Sequence, residues 1–401
     1  MSLCARKTAR FLGTFVRLST TAVFPKTNNK PVLKSEVFNK RVHTIGNGET
    51  EVDMSNRLLE QWSCGVEHFG KLKMNLPFDT HVSSLNPQLY PDMNTVIIRL
   101  FYTAPEIPSG DDLHEFLSGL VKMYEIKFDT HNSMRPEEII VDGRFKAARL
   151  PIECRCEIPL KFDLDVTCSE GTTVIQGMES DSISVKAKSC TFISTKSGSV
   201  SAESNGGDLV CQNLLQGNLN LQAKGNSNII TDRLQGTEIT CSTENGNITC
   251  SSVYSSTASF TSRHGNIKLS NCHADSHVIV PEGNLTIDSF EGNLNAEVQK
   301  GSSDIFITRP EKVKVKSETG DISIRVDKTI NSEFELQGRT VTVDDTLGFQ
   351  EESSKGSNQQ NVVKGSMNGS QAMISAETSE GCVNVKQQDW FQSLNLKFQS
   401  G

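Results

Sequence analysis

The chain reads as all-β: a parallel β-solenoid resembling a right-handed β-helix, with about 9–10 residues per strand-turn unit and about 19 per coil. Three observations predict this. The first is a phrase repeated between Gly198 and Ile324, in which glycine is followed by a small polar residue and then by alternating apolar residues. It stands as Gly207-Asp208-Leu209-Val210-Cys211, as Gly246-Asn247-Ile248-Thr249-Cys250 and as Gly265-Asn266-Ile267-Lys268-Leu269, and it returns at Gly217, Gly283, Gly292 and Gly320. The second is spacing. Gly198 to Gly207 is 9 residues and Gly207 to Gly217 is 10, while Gly246 to Gly265 is 19 and Gly265 to Gly283 is 18. A fixed period of this size marks a quasi-one-dimensional repeat protein. The third is that apolar residues inside each unit sit two apart, the strand period. A strand of about five residues cannot bury its apolar face alone, so coils must stack. A propeller is disfavoured because its blades repeat at about 40 residues with Trp-Asp signals that this chain lacks.

Within the unit, glycine is expected to take positive φ at the corner, and Asn or Asp to hydrogen-bond its own turn. The handedness of the winding is not legible. Aromatic residues are 6% of the chain, which suits a thin core of Val, Ile, Leu and Cys better than a large apolar pocket. Eleven cysteines, an odd number, are scattered and several fall at inward strand positions. They read as buried thiols in a reducing compartment.

In chain order, residues 1–45 are expected to be a mitochondrial presequence and basic linker. Nine Lys and Arg face one acid, Glu36, for a charge of +8; with −8 for the whole chain, residues 46–401 carry −16. Arg6, Arg10 and Arg17 fall near one helical face, with Phe11, Leu12, Phe15 and Leu18 largely on the other. Cleavage is expected after Leu18 or nearer Arg41. The acidic remainder argues against nucleic acid, which needs a basic face. No run approaches the roughly 18 apolar residues of a membrane span.

Residues 46–150 are expected to be a mixed α/β lead-in or cap. Leu72, Met74 and Leu76 alternate as a strand, Thr95–Tyr102 reads as a buried strand, and Asp111–Met123 carries Leu113, Phe116, Leu117, Leu120 and Val121 at helical spacing. The solenoid is expected over 151–389, opening with the alternation of Cys156, Ile158, Leu160, Phe162, Leu164 and Val166. A Ser/Gln/Asn/Gly-rich stretch, 346–370, reads as a disordered insertion. The rhythm returns at Gly381-Cys382-Val383-Asn384-Val385. Residues 390–401, with Trp390, Phe391, Leu394, Leu396 and Phe398, are expected to cap the open end.

No catalytic, cofactor-binding or metal-ligating residue emerges. Cys272, His273 and His277, with His264 nearby, form the one Cys/His cluster, but no second Cys-x-x-Cys half accompanies it. Gly206-Gly207-Asp208 occurs once, where calcium-binding repeats need successive copies. Arg233, Arg263, Arg309 and Arg325 could align as in polysaccharide-cleaving β-helices, but no paired carboxylates recur with them. Asn247, Asn284 and Asn368 open glycosylation sequons.

The Gly-Asn/Asp-Leu/Ile repeats over Cys156–Val385 resemble the adhesin-type β-solenoid domain of unknown function that is widespread in bacteria. With the presequence-like start and the Trp390-Phe391-Gln392-Ser393-Leu394 ending, the chain is similar to the vertebrate family with sequence similarity 185. That resemblance implies a mitochondrial protein and supplies no catalytic residue or cofactor. The expected function is a non-enzymatic scaffold that binds an unknown protein partner in the mitochondrial matrix, as a monomer or a weak edge-mediated oligomer. A secreted or surface glycan-binding adhesin, or a carbohydrate-active enzyme, are the alternatives.

Overall fold

The computed structural model describes residues 16–18, 57–108, 111–130, 136–146, 148–354, 360–369 and 371–388. All described strands join one hydrogen-bonded sheet wound into a solenoid. It opens with β1 (Val16–Leu18), β2 (Leu58–Gly65), β3 (Phe69–Leu76), β4 (Asp79–Ser84) and β5 (Thr95–Tyr102). Helix α1 (Asp111–Val121), β6 (Tyr124–Asp129), β7 (Glu138–Phe145) and β8 (Ile152–Ile158) follow.

The body comprises β9 (Lys161–Gln176), β10 (Glu179–Asn205), β11 (Leu209–Lys224), β12 (Ile229–Thr243), β13 (Ile248–Ser262), β14 (Ile267–Glu282), β15 (Leu285–Lys300) and β16 (Ser303–Ser317). Each pairs with the next in parallel. From β11 to β16 every strand is one coil with a first limb, a bend and a second limb. Inward residues stack in register: Ile229, Ile248, Ile267 and Leu285 form one buried column, and Cys241, Phe260, Val278 and Ala296 another. Each fully buried aliphatic side chain contributes about 1.5–3 kcal/mol of transfer free energy. No coil could bury these residues by itself, and that is why the repeat must be long.

The corner explains the Gly-Asn phrase, in part for a different reason than the one expected. Asn266 Oδ1 accepts the backbone N–H of Asn284 in the next coil (2.9 Å), Asn247 Oδ1 accepts from Asn266 (2.8 Å), and Asn228 Oδ1 accepts from Asn247 (2.9 Å). The asparagine therefore bonds the coil above and not its own turn. Gly217, Gly283 and Gly292 take the expected positive φ, and at the other corners glycine is needed for close approach. Gly246 and Gly265 do not have positive φ; a Cβ on them would fall on the carbonyl oxygen of Ser227 and of Gly246 respectively. Corner backbones stack too tightly for any side chain.

Both ends are threaded out of sequence order. At the start, the coil made by β7 and β8 leads directly into β9, yet β3 and β4 lie between them: β3 pairs in parallel with β7 and β9, and β4 with β8 and β9. The lead-in thus supplies rungs of the solenoid. Antiparallel strands close this end, with β6 on β7, β5 on β8 and β2 on β5.

The far end mirrors it. β17 (Ile322–Val326) stacks on the first limb of β16, and the chain then climbs to β18 (Ser332–Gly338) and β19 (Thr340–Val343). After β20 (Gln350–Ser354) and β21 (Asn361–Met367) it returns as β22 (Ala372–Thr378) and β23 (Cys382–Gln387). β22 slots between the second limb of β16 and β18, and β23 slots between β17 and β19. The rhythm at Gly381 therefore fills an interior rung and does not extend the solenoid.

The 346–370 stretch, expected as a disordered insertion, is corrected. Its described residues form a 3₁₀ turn at Asp345–Leu347 and the strands β20 and β21, and β21 pairs antiparallel with β18. Met367 is buried and Phe349 packs edge-on against Phe334 (5.7 Å between ring centres). This hairpin covers the end assigned by sequence to residues 390–401, which lie outside the described residues. So does the presequence expected over 1–45, except for Val16–Leu18, a strand antiparallel to β2.

Candidate binding face

The second limbs of β12 to β16 form one face whose outward side chains rise in two columns. Strand alternation sends Ile239, Ala258 and Leu294 inward and leaves Thr240, Ser259, His277, Asn295 and Lys314 outward in register. The second column runs from Glu238 through Thr257 and Asp275 to Asn293 and Lys312. Small side chains in the middle, with lysines at one end, leave a groove of about 760 Å³ crossing five coils.

The electrostatics run along it. Glu238 lies at one end, Asp275 in the middle row, and Lys312 and Lys314 at the other end. Asn293 Nδ2 donates to both Asp275 Oδ1 and Glu311 Oε2 (2.9 Å each), so these carboxylates are bridged by an amide. His277 Nδ1 lies 3.2 Å from Asn295 Nδ2. Among the described residues, Lys312 and Lys314 pair with no carboxylate. The groove offers hydrogen bonds and two free cations to a ligand.

The residues singled out in the sequence are dispersed. Cys272 points inward, its Sγ 3.3 Å from Ser276 Oγ, while His273 points outward from the adjacent position. His273 stacks on Tyr254 (4.9 Å, 11° between planes) and its Nδ1 meets Glu291 Oε2 (2.9 Å). His277 lies past the bend, in the groove, and His264 beside Glu282. No group of three or more His, Cys, Asp or Glu positioned for a metal occurs among the described residues.

The four arginines do not share a face. Arg233 lies over Tyr254 (5.9 Å), and Arg309 reaches the same outer column through Glu291. Arg325 is on the first-limb face, donating to Asp304 Oδ1 (2.7 Å) and Gln388 Oε1 (2.8 Å), and Arg263 sits at the opposite corner. Asp208, the calcium candidate, accepts from Asn228 N and Nδ2 (2.8 and 3.0 Å) as the first member of the corner ladder. Asn368 Nδ2 donates to the carbonyls of Lys328 and Ile330, so that sequon amide is engaged in the fold.

Cys154 and Cys156 both face inward, with sulfurs 3.6 Å apart. Burial pushes the Cys190 and Cys272 thiols up to about 12. Such thiols are neutral and inert at ordinary pH. An ionic cluster that the sequence did not flag lies near the first end. Arg99 pairs with Glu157, Arg155 with Glu153 (2.8 Å), and His81 Nε2 with Gln176 Oε1 (3.1 Å). Burial holds His81 below the ordinary imidazole value. Arg99–Glu157 and His81–Gln176 join strands 58 and 95 residues apart, too distant in sequence to advertise a motif.

Stacked parallel coils with a glycine–asparagine corner define a repeat solenoid with an open, polar face. Residues 161–386, more than half of the 401, match the Toastrack DUF4097 family, and the chain belongs to that family. Among solved structures it is similar to candidate adhesins from Parabacteroides distasonis ATCC 8503 and Parabacteroides merdae ATCC 43184. The first is 10% identical, with 82% of this chain and 96% of that chain covered and a TM-score of 0.32. The second is 11% identical, with 84% and 98% covered and a TM-score of 0.29. A candidate cell adhesion protein from Clostridium sporogenes ATCC 15579 is 11% identical over 82% of this chain and 99% of that one, with a TM-score of 0.16. Likeness at these scores carries no argument about this chain's function. No helix among the described residues is long and apolar enough to cross a membrane.

Proposed function

We propose that this chain is a non-enzymatic binding or scaffolding protein of the mitochondrial matrix, docking a protein partner along the second-limb groove. The groove carries the reading: five coils of one rigid face present hydroxyl, amide and lysine groups at strand spacing, about 4.8 Å apart. Such a regular row suits an extended macromolecular ligand. The matrix assignment is supported by the +8 charge of residues 1–45. The narrower kinship to the vertebrate family with sequence similarity 185 rests on that segment and on the Trp390-Phe391 ending.

The test is import of the full-length chain into isolated mitochondria with and without membrane potential, followed by sequencing of the new N-terminus. Potential-dependent import with cleavage between about residues 18 and 45 is the expected result. Photo-crosslinkers at Thr257 and Ser259 should then capture a matrix protein, and a Lys312→Glu/Lys314→Glu variant should lose it. Failure to import would sink the localisation. The glycan-binding reading is favoured by one observation, the exposure of the sequon residues Asn247 and Asn284. Glycans on either in cells would replace the matrix proposal with that one.

A further inference from the structure

Strand β2 has an edge on which a further strand is already seated. β5 pairs with β2 along one side, from Leu58 opposite Phe101 to Gly65 opposite Thr95. On the other side, among the described residues, sits β1 alone. It runs antiparallel, with Val16 opposite Ser63, Arg17 opposite Trp62 and Leu18 opposite Gln61. β2 itself is fixed from within. Arg57 Nη2 donates to the Pro105 carbonyl (3.1 Å) just before the strand, and Val66 donates its N–H to the Asn94 carbonyl (2.8 Å) just after it. Trp62 is buried, its ring centre 5.0 Å from that of Phe128. These contacts hold the edge without help from β1.

Other strands with a free side carry charge. β6 exposes Lys127 and Asp129, and β20 exposes Glu351. Such charges keep an edge from pairing with another molecule. β2 has no such guard. Gln61 and Ser63 are its outward side chains, both neutral. Its one charged residue, Glu60, is buried and accepts from the Tyr124 hydroxyl (3.1 Å). A row of backbone N–H and C=O groups between neutral side chains is a template for strand addition, and β1 is what covers it here.

On the matrix reading that cover is temporary. A cut after Leu18 or nearer Arg41 separates β1 from the body, while β2 remains. The edge takes an antiparallel strand, and two identical antiparallel strands are related by a two-fold axis, so a second copy's β2 fits where β1 sat. Centring the axis on Trp62, the middle of the stretch that β1 occupies, sets Gln61 of one copy opposite Ser63 of the other. No charges are opposed there.

We propose that β2 is a homodimer edge: β1 covers it in the precursor, and once β1 is removed it pairs antiparallel with β2 of a second copy. The removal of β1 rests on the matrix reading; the pairing does not. The dimer carries two second-limb grooves, so a ligand with two docking segments gains avidity.

Prer-cleavage and post-cleavage states can be compared in the full chain. Val16→Pro/Arg17→Pro should detach β1, because one of two successive residues in an antiparallel strand must donate to a given side and proline cannot. Sedimentation should find the full chain monomeric and this variant at twice the mass, with circular dichroism unchanged. Adding Ser63→Lys, an outward edge charge, should return it to a monomer. A proline variant that stays monomeric overturns the proposal, as does a dimer that forms equally in the full chain or ignores Ser63→Lys. Uptake of a synthetic peptide of residues 14–20 by a monomeric proline variant would assign the edge to foreign strands and overturn the second-copy occupant. The proline test needs neither import nor a groove partner, so the two proposals fail separately. Loss of import, or import that leaves Val16–Leu18 attached, overturns the processing step alone.

Discussion

A single methyl group tests the corner geometry. Gly246 has ordinary backbone angles, yet its Cβ position is occupied by the Ser227 carbonyl of the coil below, whereas a Cβ on Gly206 would meet open space at φ +96. Gly246→Ala must push two coils apart and should cost at least about 2 kcal/mol, as overpacking does. Gly206→Ala should cost about 1 kcal/mol, the left-handed penalty alone. Urea midpoints compare them; equal losses would mean that the corner is set by φ and not by stacking. The thiols give a pH signature. Cys190 and Cys272 are raised by burial from 9.0 to about 12, so the folded state holds protons that the unfolded chain releases above pH 9. Stability from this source is complete below about pH 9 and falls as pH rises towards 12, by roughly 1.4 kcal/mol per unit per thiol. A Cys190→Ala/Cys272→Ala variant should show a flatter decline in urea midpoint between pH 9 and 10.5. An unchanged slope would refute the assignment.

At the scale of elements, what could be read from sequence depended on whether the pairing partner was adjacent in the chain. The coils from β11 to β16 stack on their sequence neighbours, so the period, the strand phase and the inward residues were legible. Helix α1 was too, because five apolar residues at helical spacing need no distant partner. The asparagines were placed at the right corner with the wrong bond, since Gly-Asn looks the same whether its amide serves its own turn or the coil above. β21 was missed because its polar strand is held by pairing with β18, which local patterning cannot show. The groove was invisible for a related reason: it arises from side-chain sizes compared across coils about 19 residues apart, as with Thr257 between Glu238 and Asp275. The wedged strands β22 and β23 carry a prediction. Although they follow β20 and β21, they lie inside the sheet, with partners on both sides. Their amides should exchange as slowly as those of β14, and β20 amides, on an edge, much faster. Ile374→Ala, at a fully buried site, should cost about 3 kcal/mol. Exchange in β22 as fast as in β20 would contradict the wedge.

For the whole molecule, the threading alters how a repeat protein should come apart. Open arrays gain stability from nearest neighbours and fray from their ends, since a terminal repeat has one interface and releases without disturbing the rest. Here neither end can peel that way. Removing β8 and β7 leaves β4 and β3 without one side, and those strands lie against β9. Removing β19 and β18 strips β23 and β22, which hold the second limb of β16 and β17. The first loss at each end therefore spans at least two rungs and segments distant in sequence, which raises the cost of partial opening towards that of global unfolding. Trp62 reports the first end, and a tryptophan introduced at Phe349, against Phe334, reports the other by difference from the parent chain. Their urea transitions should coincide with each other and with loss of β circular dichroism, the mark of two-state behaviour that long repeat arrays usually lose. A C-terminal transition preceding the rest, or one whose midpoint shifts alone in Ile374→Ala, would show that the wedge closes an end without coupling it to the body. Coincidence would make the glycine–asparagine coils and the two interleaved ends a single cooperative unit, rigid enough to hold five rows of side chains in register for a ligand.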